Sequence, residues 1–259
     1  MSVAGTTQRS WREALSLAQR IGSIALFMAV WQIAADAADS RMLPSASAVF
    51  IALAHESLHG PLLFNLGVTL ARVAAAFIVA MIVGTAIGIV MGRSRTIDVL
   101  FDSWLVLLLN LPALVIIVLA YVWFGLTEAA AIGAVAVNKI PAVAVTLREG
   151  ARTLDRHYSD MAQSFHVSRW RTLRHVIMPQ LYPYIFAAAR SGLALVWKIV
   201  LIVELLGLSN GVGFEIQLYF QQFDVTRILA YTIAFVAVIQ LIEWALFQPL
   251  ERHVARWRR

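Results

Sequence analysis

The chain has 259 residues, 60% of them hydrophobic and only 14% charged, with a mean hydropathy of +0.76. Those values exclude an ordinary soluble domain, and the length leaves room for about six membrane spans with short connections but for no sizeable separate domain. The +6 formal charge would suit nucleic acid, yet a bilayer accounts for the same arginines if they gather on one side, and the absence of cysteine excludes disulfides and thiolate-bound metals.

Apolar runs of about 20 residues mark six candidate spans in chain order: Ile21–Ala38, Leu62–Met91, Val99–Phe124, Ala129–Leu147, Pro179–Leu206 and Val225–Phe247. The first, with Arg20 before it and "AADAAD" (residues 34–39) at its end, competes with a cleavable signal peptide. Its long polar lead and Trp31 within the run favour a retained span. "HESLH" (His55–His59) follows, a spacing that places two histidines one helical turn apart as in zinc sites; Gly60-Pro61 ends the helix at once and no third ligand is in view, so a solvated helix face is expected and no metal site. In the second span, Gly84, Gly88 and Gly92 recur every four residues and predict a face for close helix packing. The second and third spans are long enough to tilt or break. Pro112 interrupts the third and Pro141 the fourth, with neighbouring helices left to satisfy the freed backbone groups. "GVG" (Gly211–Gly213) lacks the strand–turn–helix setting of a nucleotide loop and reads as a turn.

Orientation follows from the arginines. With the N-terminus inside, Arg9, Arg12, Arg20, Arg93, Arg95, Arg148, Arg152, Arg156, Arg169, Arg171, Arg174, Arg252, Arg256, Arg258 and Arg259 all fall on the cytoplasmic side, against Arg41 and Arg227 outside. The chain then divides into a cytoplasmic segment 1–20, a transmembrane region 21–250 and a basic tail 251–259, both termini lying inside. Residues 148–178 form a polar cytoplasmic stretch within the membrane region, too long for a plain turn and too short for a domain. Met161, Ala162 and Phe165 have helical spacing behind Asp160, and Ser168 is placed to cap a second helix running through Trp170 and Leu173 into Pro179. Such a helix suits docking to another protein or resting on lipid headgroups, and the residues alone divide evenly between the two.

The stretch resembles the cytoplasmic signature of binding-protein-dependent ABC importer permeases, E-A-A-x3-G-x9-I-x-L-P. Anchored on Pro179, the pattern sets Asp160 on the glutamate, Met161 and Ala162 on the alanines, His166 on the glycine, and Val176 and Met178 on the isoleucine and leucine. "EGARTLD" (Glu149–Asp155) imitates the start of the pattern but would bring its proline onto Ser168. His166 is the main departure, since glycine there would supply a left-handed backbone that histidine adopts only at a cost. "LPSASAVFIAL", "TLARVAAAFIVAMIVGTAIGIVMG", "VWFGLTEAA", "PYIFAAARSGLAL" and "VELLGLSNGVGFEI" extend the likeness over roughly residues 40–250, in the order of the nitrate/sulfonate/taurine/bicarbonate-type subgroup.

The resemblance implies an all-α membrane protein of six transmembrane helices, of the type I importer permease kind. It implies a second copy of the chain, ABC ATPase subunits docked on a coupling helix (Asp160, Met161, Ala162, Phe165, His166, Pro179), and a periplasmic solute-binding protein. A bacterial inner-membrane location is implied as well, with the lipid bilayer as surroundings and no nucleic acid as partner. The sequence has no G-x-x-x-x-G-K-[ST] phosphate loop, so ATP and magnesium are expected on the ATPase and no cofactor or catalysis in this chain. A stand-alone secondary transporter or channel would show inverted repeats with paired broken helices, which the sequence lacks. An intramembrane metalloenzyme would rest on His55 and His59.

Charges inside spans are expensive and mark functional candidates. Arg72, Arg190 and Glu204 fall where the family also carries charge, and pairing or gating stands there beside solute contact. Lys139 and Lys198, the only lysines, have no such counterpart. By helix rise they lie about 16 Å and about 12 Å below the outer ends of their spans. Arg72, Lys139, Arg190 and Lys198 against the interior Glu204 make a cationic path that favours a small anion, a sulfonate, carboxylate or oxyanion. Two accounts compete: burial that leaves a lysine uncharged, and a Lys198–Glu204 pair, which the separation of about 120° on one helix disfavours within a subunit but leaves open with another helix or subunit.

Overall fold

A computed structural model describes residues 4–155, 157, 161 and 164–247. Asp160, Ala162, Arg156 and the tail 251–259 lie outside the described residues. Among those described every regular element is a helix. The chain divides into two compact units, residues 1–61 with 218–234 and residues 62–217 with 235–259.

The larger unit is built on α3 (Leu62–Arg93), α6 (Glu128–Arg152) and α8 (Met178–Gly207). Between α3 and α6 run α4 (Arg95–Asn110) and α5 (Ala113–Phe124), and α8 is preceded by a short α7 (Arg169–Thr172) and a π-helical turn, Leu173–Ile177. α9 (Val212–Gln221) and α10 (Val225–Ile242) follow, with residues 218–234 belonging to the smaller unit. Ser94 caps α4 and Thr127 caps α6, each hydroxyl accepting from a first-turn amide, Ile97 at 3.4 Å and Ala130 at 3.2 Å. Ser168 takes the expected cap ahead of α7, accepting from the Arg171 N–H at 3.4 Å.

Among the described residues four helices are long and apolar enough to cross a bilayer: Leu62–Arg93, Glu128–Arg152, Trp170–Gly207 and Val225–Ala245. The expected third span is a bent pair instead, α4 and α5 meeting at 96°. Pro112 lacks an N–H, and its ring pushes Leu111 out of the helical region, to φ −71°, ψ 126°. Pro141 behaves otherwise: α6 runs unbroken through it, contrary to the interruption expected there. Packing decides the difference. α6 is gripped against α3 on one side of Pro141 (Gly84 on Val143) and against α8 on the other (Gly192 on Lys139), whereas α4 and α5 bury few side chains. The apolar part of the expected first span, Gly22–Ala38, is the C-terminal half of α1 (Ala4–Ala38) and is shorter than a full span.

The glycine face packs as expected. A Cβ on Gly84 would sit 2.7 Å from the Val143 Cβ, on Gly88 2.6 Å from the Ala144 carbonyl, and on Gly92 2.5 Å from the Ala151 Cβ, so only glycine lets α3 and α6 approach this closely. Val143, Leu147 and Ala151 of α6 then meet Ile177, Leu181 and Ala188 in a buried core.

In the smaller unit, α1 meets α2 (Ala46–Leu58), with the Trp31 indole N–H donating to the Pro44 carbonyl at 3.0 Å. The glutamate of "HESLH" is buried. Glu56 accepts from Arg227 Nε at 3.1 Å and from the Tyr231 hydroxyl at 3.4 Å, and Arg227 also lies over the Tyr219 ring. That carboxylate is committed to an ion pair, and among the described residues no three His, Asp or Glu side chains are grouped to hold a metal ion.

Candidate functional site

Three polar residues of α3 share one face at helical spacing: Asn65, Thr69 and Arg72. They face Glu204 of α8, which is 0% exposed, and the turn that follows α8. Arg72 Nη1 donates to Glu204 at 2.7 Å and to the Asn210 carbonyl at 2.8 Å, while Nε and Nη2 reach Glu128 at 2.8 and 2.5 Å. The Thr69 hydroxyl donates to the Glu204 carboxylate at 2.9 Å and accepts from the Val212 N–H at 2.9 Å. Asn65 completes the knot, donating to Glu215 at 2.9 Å and accepting from the Gly211 N–H at 2.8 Å. Gly211 has φ +104°, and a Cβ there would fall on the Glu204 carboxylate. A further donor to Glu204 is the Gly213 N–H, at 2.9 Å. Four elements of the larger unit are thereby tied at one end.

The opposite end of α6 carries a second ionic cluster. Arg148 pairs with Asp98 at 3.3 Å and with Asp102, both on α4, and Arg152 pairs with Asp98 and with Glu149 at 2.9 Å. Beyond it the chain is tied back to α8, the Gln180 side chain accepting from the Asp155 N–H at 3.2 Å and the Thr153 hydroxyl meeting that of Tyr184 at 3.0 Å. Of the stretch expected to dock, Met161, Val167, Phe165 (76% exposed) and Trp170 (68% exposed) hold their side chains outward. His166 has φ +52°, the left-handed backbone for which the signature carries glycine. Pro179 stands in the first turn of α8.

The in-span cations divide. Arg72 belongs to the knot, and Arg190 lies 3.6 Å from Glu243. Lys198 is exposed and forms no ion pair among the described residues; the partners of Glu204 are Arg72, Thr69 and Gly213 instead. Lys139 is only 4% exposed, yet no described residue gives it a hydrogen bond or ion pair. Lys139 and Lys198 are thus set apart from the paired group.

Sequence reading missed Asn65, Thr69, Asn210 and Glu215 of the knot and Asp98 and Asp102 of the second cluster. The helical spacing of Asn65, Thr69 and Arg72 in an apolar run was the available signal for the first.

Apolar helices long enough to span a bilayer, with ionic clusters at both ends of the central one, define an all-helical integral membrane protein. Residues 84–248 match the family described as binding-protein-dependent transport system inner membrane component, and the chain belongs to that family. It is 30% identical to the aliphatic sulfonates transport permease protein SsuC of Escherichia coli (strain K12), covering 89% of this chain and 88% of that one. Identity is 28% to the taurine transport system permease protein TauC of the same organism, over 95% and 93% of the two chains. To the bicarbonate transport system permease protein CmpB of Synechococcus elongatus it is 27%, over 91% and 89%. Among solved structures, an amino acid ABC transporter with histidines shares the fold at a TM-score of 0.59 and 21% identity, covering 79% of this chain and 97% of its own. The protein is a permease subunit of an ABC importer.

Proposed function

We propose that two copies of this chain form the path of an ATP-driven importer for a small anion, with residues 148–178 on the cytoplasmic side as the region that receives separate ATPase subunits. One observation carries the docking role: Met161, Phe165, Val167 and Trp170 are turned outward beside a left-handed turn at His166, in a stretch the arginine distribution places inside. Burying such side chains against a partner is favourable, whereas leaving them in water is not. ATP and magnesium belong to the partner, since this chain has no phosphate-binding loop. A periplasmic binding protein delivers the solute, in keeping with the family. The anionic class is supported by the sulfonate, taurine and bicarbonate permeases to which the chain is similar and by its two lysines, neither of which pairs with a described residue. Of the roles open to Arg72 and Glu204, their geometry supports pairing over solute contact.

The test is Phe165→Asp in the complete transporter. Expected is loss of copurifying ATPase and of uptake, with the permease still inserted at its normal level. Normal uptake would remove the segment from the coupling role. Native mass spectrometry of the wild-type complex should show two permease chains; one per complex would overturn the paired arrangement.

A further inference from the structure

Lys139 stands near the middle of α6, its aliphatic stem laid across α8 at Gly192. A Cβ on Gly192 would come within 2.8 Å of the Lys139 Cε and 3.6 Å of the Nζ, with the Phe77 ring 3.5 Å away on α3. Glycine is therefore what lets the lysine extend past α8. Among the described residues every side-chain nitrogen or oxygen sealed from solvent has a hydrogen-bond partner. The Lys139 ammonium has none, so it is not sealed: a side chain 96% buried brings one charged atom to an opening. A cation at mid-span with no protein counter-charge is costly unless an anion or water completes it. Every other buried charge of this unit is answered by protein groups, Arg72 and Glu204 most fully.

We propose that Lys139, reaching through the notch at Gly192, is an anion-binding point on the translocation path, contacting the acidic group of the solute as it passes mid-membrane. This rests on the importer reading above and adds to it a residue and a depth. Gly192 acts as a positioning residue, by leaving room for the stem. Lys198, exposed on α8 and about 9 Å nearer its outer end by helix rise, is the cation an incoming anion would meet before Lys139.

The chain contains no cysteine, so a single one reports locally. Leu195, one turn along α8 from Gly192 and 49% exposed, is replaced by cysteine in the complete transporter. Its modification is timed with two methanethiosulfonate reagents, one carrying an ethylsulfonate and the other an ethyltrimethylammonium group, and read on the permease band. Expected is a several-fold faster reaction with the sulfonate reagent, a preference abolished by Lys139→Met and kept by Lys139→Arg. Equal rates with Lys139 present, or no reaction with either reagent, would overturn the proposal. A second arm measures uptake of labelled ethanesulfonate in proteoliposomes with the binding protein and ATP. Lys139→Met should lower it about tenfold and Gly192→Val comparably, whereas Lys139→Arg should retain most of it. A lost reagent preference with unaltered uptake in Lys139→Met would mean that the site holds a resident ion such as chloride, overturning the solute contact. If the wild type shows the preference but does not transport ethanesulfonate, the sulfonate assignment falls while Lys139 keeps its anion point.

Discussion

Two buried cations in the larger unit are treated in opposite ways. Arg72 spreads its five N–H donors over Glu128, Glu204 and Asn210, and its acceptor Glu204 is held in turn by Thr69 and Gly213. Lys139, just as buried, lies over Gly192 and meets no acceptor among the described residues. A guanidinium matches carboxylate geometry in a fixed fork and so suits a permanent knot, whereas a lysine is a point charge on a flexible stem that accepts a transient counter-ion. The difference is one of commitment: Arg72 is held by fixed partners in the fold, and Lys139 by none among the described residues.

The largest effect should come from breaking the knot. Arg72→Met leaves Glu204 fully buried without its cation, which costs about 3–5 kcal/mol. The expected outcome is a permease that fails to assemble or melts far below wild type in fluorescence-detected size exclusion. Glu204→Gln keeps a side chain that can accept from Thr69 and Gly213 and should cost less than Arg72→Met. Equal stability of Arg72→Met and wild type would show that the knot is dispensable.

Much of this architecture was legible, for reasons tied to particular residues. Glycines every four residues mean a packed face in any helix, and Gly84, Gly88 and Gly92 meet α6 as that spacing requires. A proline breaks a helix unless packing holds it, so Pro112 and Pro141 read alike in sequence and diverge in the fold: only α6 is clamped on both sides. The left-handed turn at His166 was legible only by aligning the stretch with a signature that has glycine there. The knot was not legible as a whole. Asn65 and Thr69 find their partners in α8, α9 and the turn between them, far along the chain, and no local rule sets such pairings. The same holds for Asp98 and Asp102, whose pairing with Arg148 depends on how α4 folds back after its cap at Ser94.

An intermediate effect should come from the α3–α6 contact, which supports both regions. Gly88→Ala forces a methyl to within 2.6 Å of the Ala144 carbonyl and 2.7 Å of the Leu147 Cβ, a strain of about 1–3 kcal/mol. Gly67→Ala is the control on the same helix. Nothing lies within 4 Å of its new Cβ, and alanine favours the helix by up to about 1 kcal/mol. Thermal unfolding of the two variants in detergent should therefore move in opposite directions. A loss of the same size in both would mean that the approach of the two helices is not what Gly88 protects.

The smallest effect on stability should come from Lys139. Lys139→Met keeps an unbranched stem of similar length over Gly192 and removes a charge that no described residue compensates. Replacing a buried charge by a well-packed apolar group is neutral or stabilising when no partner is left behind, so the change in stability should stay within about 1 kcal/mol of wild type. The melting temperature of the detergent-solubilised transporter, measured beside Arg72→Met, checks this. Similar destabilisation by the two variants would mean that Lys139 has a structural counter-charge in the assembled transporter and that the two cations are not different in kind. A Lys139→Met transporter as stable as wild type would show that this lysine, unlike Arg72, contributes nothing to holding the helices together. The cost of keeping a charge at mid-span would then have to be balanced by what it does to a passing anion.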